Sequence, residues 1–232
     1  MRICVIGNSH TASLKWGWDA VHAQYPDVVL TVFASLGHTM QNLVADNGRL
    51  VAKTPKLAKR MAETSGTDGI IRIQDFDAFV LYGLTLNLPR FELGMSRAFQ
   101  RAAMNDVFRT SVLFSVLHAV RSVTDKPVYC SPSPLIALGS VEPDVPMLDY
   151  LDVVAVLREI VAGSRVDVLG QPLETVRPNL STAVGHSLKA GDLADDVDAT
   201  HVVLEVEPLT KHMNAEFGVL WLRTNLPTIL AG

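Results

Sequence analysis

Short apolar runs that alternate with helical stretches constrain this chain more than any other feature. Residues 3–6, 27–34, 77–82, 128–130 and 166–169 are compact, apolar and rich in β-branched residues, and each is followed by a turn with glycine, proline or serine. Such runs read as buried strands. Between them the apolar spacing becomes helical. Leu14, Trp18, Val21 and Tyr25 share one face, and residues 56–64 follow Pro55 and close at Gly66. Residues 95–107, 109–124 and 148–162 are predicted helices, and a last helix is predicted over 214–224. Residues 39–45 read as a short helix, Asn47-Gly48 as a turn, and Leu50-Val51 as a brief extended piece. Strands separated by helices are joined by parallel crossovers, which put helices on both faces of one sheet. The expected fold class is α/β with a five-stranded parallel sheet, in a single domain spanning 1–232. No internal repeat or shift of composition marks a second domain.

The 232 residues are 48% hydrophobic and 19% charged, enough apolar surface for a substantial core. Net charge is −4, with no basic cluster that would attract nucleic acid or an anionic membrane surface. Cys4 and Cys130 both fall in strand-like runs, where a buried reduced thiol is expected. The first apolar run ends at Ile6, too short for a secretory leader, and Ser115, His118 and Arg121 interrupt the most apolar helix. The expectation is a cytoplasmic protein that neither enters membranes nor binds nucleic acid.

In parallel sheets ligands bind beyond the carboxyl ends of the strands. That rule places Ser9, Gly37, the segment after Gly83 and residues 131–134 on one rim. Ser9 lies in a tight strand-to-helix turn, beside backbone N–H groups that favour negative charge. A serine nucleophile generates an oxyanion during acyl transfer, so the position suits one. The same turn also suits an ordinary helix cap. A dinucleotide-type phosphate turn is disfavoured, because only Gly7 of the G-x-G-x-x-G pattern is present.

A serine needs a base. Of seven histidines, His186, His201 and His212 follow the last strand. His212 stands just ahead of the final helix, which Asn214 can cap, so its imidazole can reach back to the rim. His201 follows Asp198 in a D-x-x-H spacing that suits a carboxylate orienting an imidazole. For any single loop histidine, surface decoration is the plain alternative. His22 and His118 fall in helices, and no pair has the i, i+4 spacing of a helical zinc site, so no metal is expected.

Gly7-Asn8-Ser9-His10, together with His212-x-Asn214-x-x-Phe217-Gly218, resembles the SGNH (GDSL-type) hydrolase family. Residues 77–83 resemble the entry to that family's third block, and Gly37 the glycine of its second. The resemblance implies a flavodoxin-like three-layer α/β/α sandwich and ester hydrolysis without a cofactor. Ser9 would be the nucleophile and His212 its base. The Ser9 and Gly37 N–H groups would hold the oxyanion with an asparagine side chain. Here Asn87 stands two positions later than the family's asparagine, with Thr85 in the usual place. Asn8 replaces the usual aspartate, and Leu209 stands where the family carries its acid. Glu207 is the nearest acid upstream. Asp198 is the alternative, serving either His212 or His201, and a backbone carbonyl would leave a Ser–His dyad. The implied substrate is a small acyl, acetyl-like ester of a carbohydrate or other small molecule. An acyltransferase, or a catalytically weak sugar- or acyl-binding protein on the same scaffold, is the rival. Residues 84–96, 135–147 and 175–199 are expected to wall the pocket. Oligomeric state is not legible.

Overall fold

A computed structural model describes residues 1–138, 145–188 and 211–232. In chain order the elements are β1 (Arg2–Gly7), α1 (Thr11–Val21), β2 (Val29–Ala34), β3 (Leu43–Asp46), β4 (Arg49–Ala52), α2 (Pro55–Ser65), β5 (Ile71–Arg72) and β6 (Ala78–Tyr82). They continue with α3 (Arg97–Thr110), α4 (Val112–Arg121), β7 (Val128–Ser131), β8 (Ala137–Leu138), α5 (Tyr150–Val161), β9 (Asp167–Val168), β10 (Val176–Arg177), β11 (Ser181–Ala183) and α6 (Ala215–Ala231). The main sheet has five strands in the order β2-β1-β6-β7-β9, all parallel. This is the architecture that the alternating runs predict, a three-layer α/β/α sandwich.

Side chains of β1 alternate between two cores. Ile3 and Val5 face α1 and α6, joining Leu14, Phe217 and Trp221. Cys4 and Ile6 face the other layer, with Leu57, Met104, Leu113 and Val153 from α2 to α5. In register, Gly7 lies opposite Ala34 of β2 and Tyr82 of β6, so three strand ends are level. The chain reverses its direction across the sheet at β1 and β6, which opens the ligand-binding crevice of such folds between their carboxyl ends.

Local chemistry sets the helix boundaries. Thr54 accepts from the Leu57 N–H, Pro55 fills the first turn, and Gly66 ends α2 at φ 66°. Ser111, extended at φ −74° and ψ 154°, separates α3 from α4 and accepts from the Phe114 N–H. Two predicted elements differ in the structure, residues 39–45 and the last helix, while the predicted Asn47-Gly48 turn and the extended piece at Leu50-Val51 are present. Residues 39–45 are a 3₁₀ turn over Thr39–Asn42 followed by β3, not one helix. The Asn47-Gly48 turn, with φ 47° and 73°, folds β3 back on β4, and β5 extends this into a three-stranded antiparallel sheet. Finally, α6 runs through Pro227 to Ala231. An internal proline costs about 3 kcal/mol. Burial of Leu226 and Ile229, at about 1.5–3 kcal/mol each, offsets it. No helix among the described residues is long and apolar enough to cross a membrane.

Helices α1 and α6 meet backbone to backbone. A Cβ on Gly17 would sit 2.6 Å from the Val219 nitrogen, and one on Gly218 would run into the Ser13 carbonyl oxygen. Glycine at both positions gives up roughly 1 kcal/mol of helix propensity apiece. It lets α6 press close enough to seat Phe217 and Trp221 against the sheet. Gly218→Ala is expected to destabilise the protein by about 2 kcal/mol or more in urea unfolding. Gly163→Ala, whose Cβ meets nothing within 4 Å, should cost under about 0.5 kcal/mol. Equal small losses would show that the helices have room to spare.

Candidate active site

The turn after β1 is held by Asn8. Its carbonyl accepts from the Thr11 N–H at 3.0 Å and the Thr11 hydroxyl at 2.8 Å, and its buried Oδ1 accepts from the His10 N–H at 3.2 Å. Asn8 is therefore structural, and an amide does this accepting work as a carboxylate would. Ser9 is half-buried, and its carbonyl takes the Ala12 N–H at 3.2 Å. Helix α1 has no side-chain cap. The Ser9 hydroxyl thus does not serve as the cap that its position allowed, and it makes no hydrogen bond among the described residues.

The end of β6 closes on this turn. Gly83, Leu84 and Thr85 have φ of 72°, 49° and 60°, three successive left-handed residues. The two non-glycine residues store roughly 1–3 kcal/mol each. They are held by α4, because the Leu84 carbonyl accepts from the Leu113 N–H and the Thr85 hydroxyl from the Val112 N–H, both at 3.0 Å. A Cβ at Gly83 would lie 2.8 Å from Asn8 Oδ1 and 3.2 Å from His10 Cδ2, so only glycine lets the two turns pack. Thr85 is committed to α4. Asn87 is exposed, and no hydrogen bond among the described residues ties its side chain to the rim. Gly37 sits in the exposed loop after β2 at φ 56°, and the Ser35 N–H in the same loop donates to the Gly7 carbonyl at 3.3 Å. Ser131 is used internally, accepting from Trp221 Nε1 at 3.3 Å.

His212 arrives from the far end of the chain. The Leu188 N–H donates to its carbonyl at 2.8 Å, and the Asn214 N–H donates to the His186 carbonyl at 2.9 Å, around an antiparallel bridge between Ser187 and Met213. Asn214 also caps α6 through the Phe217 N–H at 3.0 Å. The His212 ring then lies 5.4 Å, centre to centre, from that of His10, tilted by 36°. The first and last sequence blocks thus converge on one rim. His186 lies beside them, with Nδ1 4.0 Å from the Glu216 carboxylate. Sequence reading missed this imidazole–acid pair, since nothing local couples residues thirty apart. Asp198, His201 and Glu207 lie outside the described residues.

Burial lowers both rim imidazoles. His10 is brought down to about 4, by burial first and then by His212. His212 lies below its usual value of 6.5 because of burial and then the Lys211 charge. Burial pushes the Cys130 thiol up to about 12 and raises Cys4 as well, so neither is an activated thiolate.

No family model matches the chain, and no curated protein matches it in sequence. Solved structures match it in shape. The periplasmic domain of a lipopolysaccharide acetyltransferase from Salmonella ser. Paratyphi A is 8% identical, with a TM-score of 0.51, over 99% of this chain and 83% of that one. A carbohydrate acetylesterase family member from Sinorhizobium meliloti is 10% identical, with a TM-score of 0.47, over 100% and 98% of the two chains. A GDSL-like lipase from Bacteroides thetaiotaomicron is 9% identical, with a TM-score of 0.45, over 99% and 88%. At these identities the likeness is one of fold alone, the three-layer α/β/α sandwich described above.

The His10 shift carries a stability consequence. Unfolding restores an imidazole that protonates near 6.5, while the folded one protonates near 4, so the unfolded state binds more protons between those values. The contribution is present in full above pH 6.5 and is lost as pH falls to 4, on the order of 3 kcal/mol in all. Unfolding measured across that window should show a smaller loss in His10→Gln than in the unsubstituted protein. Parallel curves would contradict the buried neutral imidazole.

Proposed function

We propose that this chain, read as one domain over 1–232, is a serine-dependent carboxylic-ester hydrolase of the SGNH type. The observation that carries the reading is the His212 ring 5.4 Å from that of His10, the residue next in sequence to Ser9, whose hydroxyl has no partner among the described residues. In this mechanism Ser9 Oγ attacks the acyl carbonyl carbon, and His212 removes the hydroxyl proton. The tetrahedral oxyanion accepts hydrogen bonds from the Ser9 and Gly37 N–H groups. Its collapse expels the alcohol, which takes the proton from His212 and leaves an acyl-Ser9. Water, activated by the same imidazole, then releases the acid. Asp198 or Glu207 is assigned to orient His212, or a backbone carbonyl in their place. The sequence resemblance assigns a third oxyanion donor to Asn87, but exposure of that side chain leaves the reading resting on the two main-chain donors.

The substrate class is a small, acetyl-like ester of a carbohydrate or other small molecule, with no metal or cofactor required. Shared fold with an acetyltransferase domain makes transfer to an alcohol in place of water the natural variant. Two buried free cysteines fit a reducing, cytoplasmic setting. The unmoored Asn87 favours a second reading, a binding domain that holds a sugar or acyl ligand without turnover. Such a domain would be thermally stabilised by its ligand equally well in Ser9→Ala.

Hydrolysis of a short-chain aryl acetate should fall at least about a thousand-fold in Ser9→Ala and in His212→Ala. Full activity in Ser9→Ala would overturn the reading. His212 must be neutral to act, and burial and Lys211 disfavour its protonation. The acid side of the kcat/KM profile should therefore have its midpoint below pH 6.5. A midpoint above that value would mean that His212 is not the titrating base.

A further inference from the structure

His10 is the residue that the serine mechanism leaves unused, and three observations bear on it. Its ring lies in the crevice between the ends of β1 and β6, with Cδ2 3.2 Å from where a Gly83 Cβ would be, and His212 on another side. Its Nδ1 is sealed from solvent and has no hydrogen-bond partner among the described residues. Neither side chain that could complete the oxyanion site is fixed there, since the Thr85 hydroxyl accepts from the Val112 N–H of α4 and Asn87 is exposed with no hydrogen bond among the described residues to hold it.

A neutral imidazole carries one proton, on one nitrogen or the other. Sealing an N–H donor without an acceptor is rarer than leaving an acceptor unfilled. The bare nitrogen is then Nδ1, and the proton sits on Nε2, the nitrogen bonded to Cδ2 at the Gly83 crevice. We propose that His10 Nε2–H donates a hydrogen bond to the substrate carbonyl oxygen as it becomes the oxyanion, supplying the third donor in place of Asn87. Burial keeps the ring neutral down to about pH 4, so it acts as a donor and not as an acid. Placed next to Ser9 in sequence, the donor is carried by the same rigid turn as the nucleophile. Donors fixed where charge develops need no rearrangement during reaction. The assignment rests on Ser9 being the nucleophile.

The test compares kcat and KM for an aryl acetate in Ser9→Ala, His10→Phe and His10→Gln. Phenylalanine keeps the ring and loses the donor, whereas the glutamine amide carries an N–H to about the position of Nε2. His10→Phe should lower kcat about 100-fold or more with little change in KM, and His10→Gln should recover at least about tenfold of that loss. Unchanged kcat in His10→Phe, or equal losses in both variants, overturns the assignment. Nitrogen-15 NMR of the His10 ring needs no turnover. It should show a protonated Nε2 and a bare Nδ1 at neutral pH, and a proton on Nδ1 overturns the assignment. Turnover surviving in Ser9→Ala overturns the serine reading itself. An inert Ser9→Ala beside a fully active His10→Phe removes only the role of His10.

Discussion

The glycine-on-glycine contact between α1 and α6 is the constraint on which the rest depends. Gly17 and Gly218 bring two backbones together where any Cβ would collide. The helix that starts the chain and the helix that ends it are thereby fixed to one another. Each carries one half of the candidate site at its amino end: the Ser9 turn leads into α1, and His212 sits three residues ahead of α6. Closeness of the two helices translates into closeness of two loops that are two hundred residues apart in sequence. Trp221 reinforces the arrangement by packing edge-on to Tyr82, the last residue of β6, at 5.3 Å.

A second layer of control is electrostatic. The rim is built from imidazoles and amides, with no carboxylate among the described residues hydrogen-bonded to His10 or His212. Burial therefore acts unopposed and favours the uncharged rings. Neutral imidazoles suit a base and a hydrogen-bond donor, and the cost falls on stability in acid. The left-handed run from Gly83 to Thr85 is a comparable expenditure: strain at the crevice, held by two hydrogen bonds from the start of α4.

Local signals carried most of the fold. The five strands, their parallel direction and the main helices follow from periodicity and turn residues, which are properties of neighbours in sequence. The serine turn and the His212 loop were legible for the same reason, as short blocks at strand and helix ends. What escaped was long-range. The Thr39–Asn42 turn gives way to a strand because Leu43 pairs across a hairpin with Ala52, and α6 outlasts Pro227 because of distant packing. Gly17 and Gly218 look like weak helix residues until the partner helix is in place. The tilted His10–His212 ring pair and the His186–Glu216 pair join segments that no pattern within either one connects.

The most direct measurement is a crystal structure of the protein after reaction with an organophosphonate ester probe. The account predicts phosphorus bonded to Ser9 Oγ, with a His212 ring nitrogen within hydrogen-bonding distance of the adduct. A phosphonylated residue elsewhere, or a Ser9 adduct with His212 turned away and another group in its place, would contradict it.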